Sequence, residues 1–286
     1  MGRFSRAVFA AVLSTLVGFA WAVPAAAQLV TANDDVVVES RVPKWLRGRP
    51  WGLTVGYDTP YEGSGELELT INLASDYSSA KASRSPLQTM STLDLPILTF
   101  EVVQVGLSAD LWADISGAGP REGLDLLYPS LAAGIWGSVG IDSIAVDGKI
   151  LGKVWSPEEF TNPREGYEAQ VGLTLHSPIV RMGGGRFMDL SVRADLTFAD
   201  DLYMAQHFGV SDAEALTSGL AAHEASAGLK SAGLSMGAAV PLTRNFELQG
   251  AVGLVQLLDD AAASPWVMER GEVTDVWGNV GVAFRF

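Results

Sequence analysis

The sequence predicts an all-β protein: a transmembrane antiparallel β-barrel of about ten strands, with twelve as the alternative count and both termini periplasmic. Three observations predict it. Apolar and polar residues alternate along most of the chain, the N-terminus reads as an export signal, and the last residues form a strand with the spacing of a barrel-assembly signal. Composition narrows the class further. With 286 residues, 48% hydrophobic and only 18% charged, the chain is too apolar to be disordered. A net charge of −14 without any Lys/Arg-rich run excludes nucleic acid as a partner. The absence of cysteine excludes disulfide scaffolds, thiolate zinc sites, thiol nucleophiles and a lipid-modified N-terminal cysteine.

The elements follow in order. Arg3 and Arg6 precede the apolar run Ala7–Ala22, and Ala25, Ala26 and Ala27 offer a small-residue cleavage site before Gln28, so residues 1–27 read as a cleaved signal peptide. The run is short for a bilayer span and breaks at Pro24. Residues 28–47 are left as a periplasmic arm or lumen insert, and 48–286 form the barrel. Alternation predicts strands at 51–58, 66–73, 103–114, 127–140, 144–155, 167–175, 188–198, 232–240, 246–254 and 276–286. The clearest runs from Met188 to Phe198: Met188, Leu190, Val192, Ala194, Leu196 and Phe198 alternate with Asp189, Ser191, Arg193, Asp195 and Thr197. A soluble β-sandwich also alternates, so the last strand decides between them. Asn279, Gly281, Phe284 and Phe286 have the spacing of the signal that hands a barrel to its assembly machinery, which places the chain in the outer membrane of a Gram-negative bacterium.

Parity supports this topology. Counting back from Phe286, connections 241–245, 178–186 and 140–143 fall on the periplasmic side, while 259–274, 199–228, 156–165, 116–125 and 59–65 fall outside, where all but 59–65 are longer than any of the three. The Ser-rich connection 74–92 alone breaks the rule, being long and internal.

A barrel this narrow is filled by side chains rather than forming a wide pore. Its inward charges are Asp147, Glu168, Asp189, Asp195 and Glu247 against Lys149, Lys153, Arg193 and Arg285, a balance that suits a cross-barrel network of ion pairs. Small inward residues Ser231, Gly233, Ser235 and Gly237 suit complementary packing against larger neighbours such as Trp136 or Trp277. The external connections are acid-rich, with Glu62, Asp200, Asp201, Asp212, Glu214, Asp259 and Asp260 among them. That composition predicts a solvated rim, or carboxylates bridged by divalent cations to lipopolysaccharide. Outer-membrane lipid and lipopolysaccharide are the partners that location implies.

Several loop segments carry a resemblance. Pro60-Tyr61-Glu62-Gly63-Ser64, Phe198–Met204 with Phe208-Gly209-Val210, Ser218-Gly219-Leu220 with Ala227-Gly228-Leu229-Lys230, and Asp260–Pro265 occur in the order found in the MipA/OmpV family, which the chain resembles over residues 51–286. Between residues 75 and 166 no signature of that family stands out, and Ala221-Ala222 replaces a common proline. The resemblance implies a non-enzymatic barrel whose named member bridges a lytic murein transglycosylase and a penicillin-binding synthase. It also allows an osmotic, adhesive or narrow-channel role at the cell surface, and it brings no catalytic residues.

Enzyme chemistry finds little purchase. Gly233-Leu234-Ser235-Met236-Gly237 matches G-x-S-x-G but lies within an alternating strand rather than at a strand-to-helix elbow, leaving an outer-membrane hydrolase as a remote reading. The histidines His176, His207 and His223 lack ligand or triad spacing, and Gly183-Gly184-Gly185 precedes no helix. The sequence therefore assigns no catalytic, cofactor-binding or metal residues.

Overall fold

The computed structural model describes residues 50–59, 62–75, 93–100, 102–112, 119–125, 130–141, 143–155, 166–181, 187–243 and 246–285. The expected signal peptide, the 28–47 arm, the Gly183–Gly185 turn and Phe286 lie outside them. Among the described residues, eleven strands form one sheet: β1 (Pro50–Asp58), β2 (Glu68–Ser75), β3 (Leu93–Thr99), β4 (Val103–Trp112), β5 (Ser130–Ile141), β6 (Ile144–Trp155), β7 (Tyr167–Arg181), β8 (Phe187–Ala199), β9 (Gly228–Pro241), β10 (Phe246–Leu257) and β11 (Thr274–Arg285). Their order is β2-β1-β11-β10-β9-β8-β7-β6-β5-β4-β3, with every neighbouring pair antiparallel. The first and last strands meet: Pro50 lies opposite Arg285 and Tyr57 opposite Gly278.

Ten of these strands are those that alternation predicts. The further one, β3, carries Pro96 at its centre, where proline removes a ladder donor and argues against a strand. The register shifts between Pro96 and Leu98, a bulge in the ladder at the proline. Pro178 hides the end of β7 in the same way. The sequence predicts a turn from 178, but the strand runs on to Arg181 through a register shift between Pro178 and Val180.

Strand directions explain the anomalous connection. Because β1 pairs antiparallel with both β11 and β2, alternation around the sheet leaves β2 and β3 running the same way. The chain between Ser75 and Leu93 therefore leaves the sheet at one end and rejoins it at the other. Ser75 and Leu93 thus do not both stand at the internal end, where parity counting places them.

The two faces of the sheet are inverted relative to a soluble protein. On β8, Ser191, Arg193, Asp195 and Thr197 are buried while Val192, Leu196 and Phe198 are exposed. The exposed set continues around the wall through Val105, Leu107, Ile135, Val146, Ile150, Val171, Leu173, Leu234, Val280 and Val282. Such an apolar belt around a polar interior is stable where the surrounding solvent is hydrocarbon.

At the end of the sheet where residues 200–227 and 258–273 emerge, the connections are folded. Helix α1 (Asp201–Phe208) is capped by the Asp200 carboxylate, which accepts from the Tyr203 amide at 2.8 Å. Helix α2 (Asp212–Ser218) starts with a reciprocal Ser211–Glu214 capping box and stops at Gly219, whose φ of 76° suits a residue without Cβ. Short helices α3 (Asp259–Ala262) and α4 (Pro265–Arg270) follow β10, the second with proline in its first turn. Met204, Phe208, Val210, Leu220, Leu257, Ala261, Trp266 and Val267 form a hydrophobic core of their own between these helices. Acids of these connections, among them Asp201, Asp212 and Asp259, are exposed at this end. Enough apolar surface lies within these connections to pack a cap over the mouth, and several of their acids serve as helix caps or accept backbone amides.

Candidate functional site

The interior is organised in two tiers, a charged network in the lumen and the cap above it. In the lumen, Arg193 is 2% exposed and extends from β8 across β7. Its guanidinium bonds Asp147 on β6 through Nη1, approaches Asp195 Oδ1 at 3.4 Å through Nε, and lies 3.5 Å from Thr174 Oγ1. Gln170 Nε2 donates to the other Asp195 oxygen at 3.0 Å. Room for this comes from glycine: a Cβ on Gly172 would overlap the Arg193 guanidinium, and one on Gly233 would press on the Asp195 carboxylate. Gly253 likewise makes space for the Trp277 indole.

The structure distributes the remaining expected lumen charges. Lys149 pairs with the buried Asp110 at 3.5 Å, a partner that the sequence reading missed. Glu247, half-buried at the start of β10, accepts from Gln249. Lys153 is buried on β6. Asp189 and Arg285 occupy paired positions on β8 and β11, opposite Pro178 and Pro50, and their side chains are not described. Of the expected sorting residues, Asn279, Gly281 and Phe284 lie on β11 opposite Gly56, Thr54 and Trp51. Ser235 of the G-x-S-x-G match sits in mid-strand opposite Arg193 and Gly253, without the elbow a nucleophile needs.

Glu168 does not join the Arg193 network. It turns to Lys230 at the top of β9, where its Oε2 lies 2.7 Å from Nζ. The same ammonium is 2.6 Å from Glu62 Oε1 in the β1–β2 connection and 3.2 Å from the Tyr203 hydroxyl on α1, and it stands 4.6 Å from the Tyr203 ring centroid. Lys230 is fully buried and both carboxylates are nearly so. Burial pushes the Glu62 carboxyl up from 4.5 against the attraction of Lys230. It also holds the Tyr203 phenol well above its usual value, helped by the charge of Glu62.

Cap and lumen are knitted through these groups. Gly63, at φ 77°, donates its amide to Asp275 Oδ2 at 2.7 Å, and its carbonyl accepts from the Glu272 amide at 2.9 Å. A Cβ there would crowd Leu257, Val267 and Trp266 at 3.1–3.2 Å. Arg121, buried in a 3-10 turn at Gly119–Arg121, donates Nη1 to the His207 carbonyl at 2.6 Å and lies 5.3 Å from the Trp266 ring centroid. The Trp266 indole donates to the same carbonyl at 3.2 Å, and Ser264 Oγ donates to the Phe208 carbonyl at 2.6 Å. His207 stacks on Tyr203 with centroids 4.0 Å apart. Burial and the cations Arg121, Lys230 and Lys153 hold its imidazole well below 6.5. Among the described residues, no group of three His, Asp or Glu side chains is arranged to hold a metal ion.

Four of the segments that suggested a family therefore meet in one place: Glu62-Gly63-Ser64, Asp200–Met204, Ala227–Lys230 and Asp260–Pro265 build the cap and its attachment. The family model described as MltA-interacting protein MipA matches residues 51–286. The chain belongs to the MipA family. No curated protein matches it. Among solved structures, it is similar to an outer membrane channel from Pseudomonas putida F1, with 9% identity, 89% of this chain and 100% of that one covered, and a TM-score of 0.42. LpxR from Salmonella typhimurium shows 9% identity, coverage of 83% and 100%, and a TM-score of 0.34. The outer-membrane expressed OmpT of Vibrio cholerae shows 8% identity over 68% of this chain with a TM-score of 0.34, and the match spans 55% of that protein's length.

Proposed function

We propose that this MipA-family chain is an outer-membrane barrel that acts as a non-enzymatic envelope scaffold, its lumen closed and its periplasmic face free to engage murein enzymes. The observation that carries this reading is the filled interior. Arg193 and its carboxylates form a buried network on the inner face of the neighbouring strands β6, β7 and β8, and a cap with its own hydrophobic core stands at one mouth, so the barrel is built closed at rest rather than as a standing conduit. The family's description names interaction with MltA, and a lytic transglycosylase together with a penicillin-binding synthase are the partners that fit a scaffold at the murein face. The same reading gives the barrel twelve strands. With β2 and β3 running the same way, closure of an alternating sheet needs one further crossing between them and an even total of about twelve. The cap mouth then faces outward, among lipopolysaccharide, and the 28–47 arm and the β7–β8 turn face the periplasm. A photo-crosslinker at Gly184 tests the role in cells. Capture of a lytic transglycosylase is the expected result, and capture of the assembly machinery alone would overturn it.

A further inference from the structure

The cap is tied to the lumen by an unusual concentration of charge on one atom. Lys230 Nζ gathers Glu62 from the β1–β2 connection, Glu168 from the wall strand β7 and Tyr203 from helix α1. These three partners belong to three different parts of the chain, and two of them, Glu62 and Tyr203, belong to the roof. Polar satisfaction around this atom is incomplete. Among the described residues, Glu62 Oε2 is buried without a hydrogen-bond partner. A permanent seal is more stable when built from apolar side chains, because buried ion pairs recover only part of their desolvation cost. The rest of the cap core follows that rule, with Met204, Phe208, Trp266 and Val267 packed together. Charge within the cap recurs at Arg121, on the His207 carbonyl and the Trp266 ring, but a buried ammonium shared between two carboxylates stands where the roof meets the wall.

We propose that the cap is a releasable plug and that Lys230 is its latch: separating Lys230 from Glu62 and Tyr203 lifts α1 and the β1–β2 connection away and opens the lumen beneath. The path so exposed is narrow and lined by Asp110, Lys149, Asp147, Arg193 and Asp195, so it passes water and small ions rather than large solutes. The inference rests on the closed-barrel reading above, and the experiment separates the two.

The chain contains no cysteine, so a single introduced thiol reports on one position. Ser264 is fully buried in the cap, against the Phe208 carbonyl, and Ser264→Cys therefore measures opening by its rate of reaction with a maleimide in refolded full-length barrel. In the otherwise native chain this thiol reacts slowly and planar bilayers stay silent. Lys230→Met strands two carboxylates and shifts the closed-to-open balance on the order of a hundredfold, giving fast labelling and a small cation-permeable conductance in heat-modifiable, folded barrel. Glu62→Gln weakens the latch on the β1–β2 connection, which keeps its Gly63 hydrogen bonds to Asp275 and Glu272, while Lys230 keeps Glu168, and labels at an intermediate rate. Fast labelling or conductance in the native chain would overturn the closed reading itself. Protection of the introduced thiol at the native rate in both assembled variants would overturn the latch and leave that reading intact. If Lys230→Met does not assemble, Glu62→Gln decides alone: native-rate protection overturns the latch and faster labelling supports it.

Discussion

Replacing Arg193 by methionine isolates the energetic worth of the lumen network. The side chain is 2% exposed, Asp195 is 6% exposed and Asp147 is 30% exposed. Breaking a buried pair by removing one partner costs about 3–5 kcal/mol, because a charge is left buried without compensation. Here that penalty falls on Asp195, since Asp147 is partly exposed and contributes under about 1 kcal/mol. The hydrogen bond from Gln170 at 3.0 Å remains and offsets about 1 kcal/mol of it, leaving a loss of about 3 kcal/mol. Urea unfolding of the barrel from lipid vesicles, followed by tryptophan fluorescence, measures this as a shift in midpoint at constant slope. Adding Asp195→Asn to Arg193→Met should restore about 2 kcal/mol, a coupling that a double-mutant cycle reads directly. A loss under about 1 kcal/mol, or two substitutions that simply add, would refute the claim that these groups form one buried network.

The other predictions follow from the same geometry. Gly172→Val should destabilise the barrel about as much as Arg193→Met by displacing the guanidinium, whereas Gly228→Ala, which meets open space, should change stability by under about 0.5 kcal/mol in the same unfolding assay. Because the folded His207 value lies below 6.5, its contribution to cap closure is complete above about pH 6.5 and is lost as the pH falls below it; labelling of the thiol introduced by Ser264→Cys, taken relative to a fully exposed thiol at the same pH, should therefore rise at pH 5, and His207→Gln should remove that part of the change. Glu62 is shifted upward and acts with the opposite sign, so the comparison is made between chains with and without His207→Gln at each pH. Deleting Phe286 should leave export intact but lower the heat-modifiable fraction in outer-membrane preparations, and full assembly would defeat the sorting-signal expectation. An epitope at Ser211 should be reachable on intact cells while one at Gly184 is not; the reverse would invert the topology.

The strands were legible in the sequence because period-two alternation with charges on one face writes a barrel wall directly, as Met188–Phe198 does. Two prolines mark where that legibility ended. Pro96 and Pro178 sit in bulges, and local chemistry gives no sign that tertiary pairing will tolerate them. The cap was invisible for a different reason. Its helices are only four to eight residues long, too short for helical periodicity to emerge, and their stability comes from a core assembled out of distant connections. Capping signals were nonetheless present in Asp200, in Ser211 with Glu214, and in Ser218-Gly219. Lumen pairing was only partly readable, since alternation assigns a face but not a partner. Arg193 and Asp195 share a strand, yet Asp147 and Gln170 reach them from β6 and β7, and Glu168 turns instead to Lys230. Lys230 itself was passed over because it begins a strand in a run of small residues, and only the fold brings Glu62, 168 positions away, within 2.6 Å of it.

The central claim is that this barrel is closed: charged network below, cap above. Single-channel recording of the refolded native chain in planar bilayers at neutral pH tests it most directly. The account predicts no stable conductance across the range of applied voltage, with heat-modifiable folded protein verified in the same preparation. A steady ohmic pore in the native chain would contradict it.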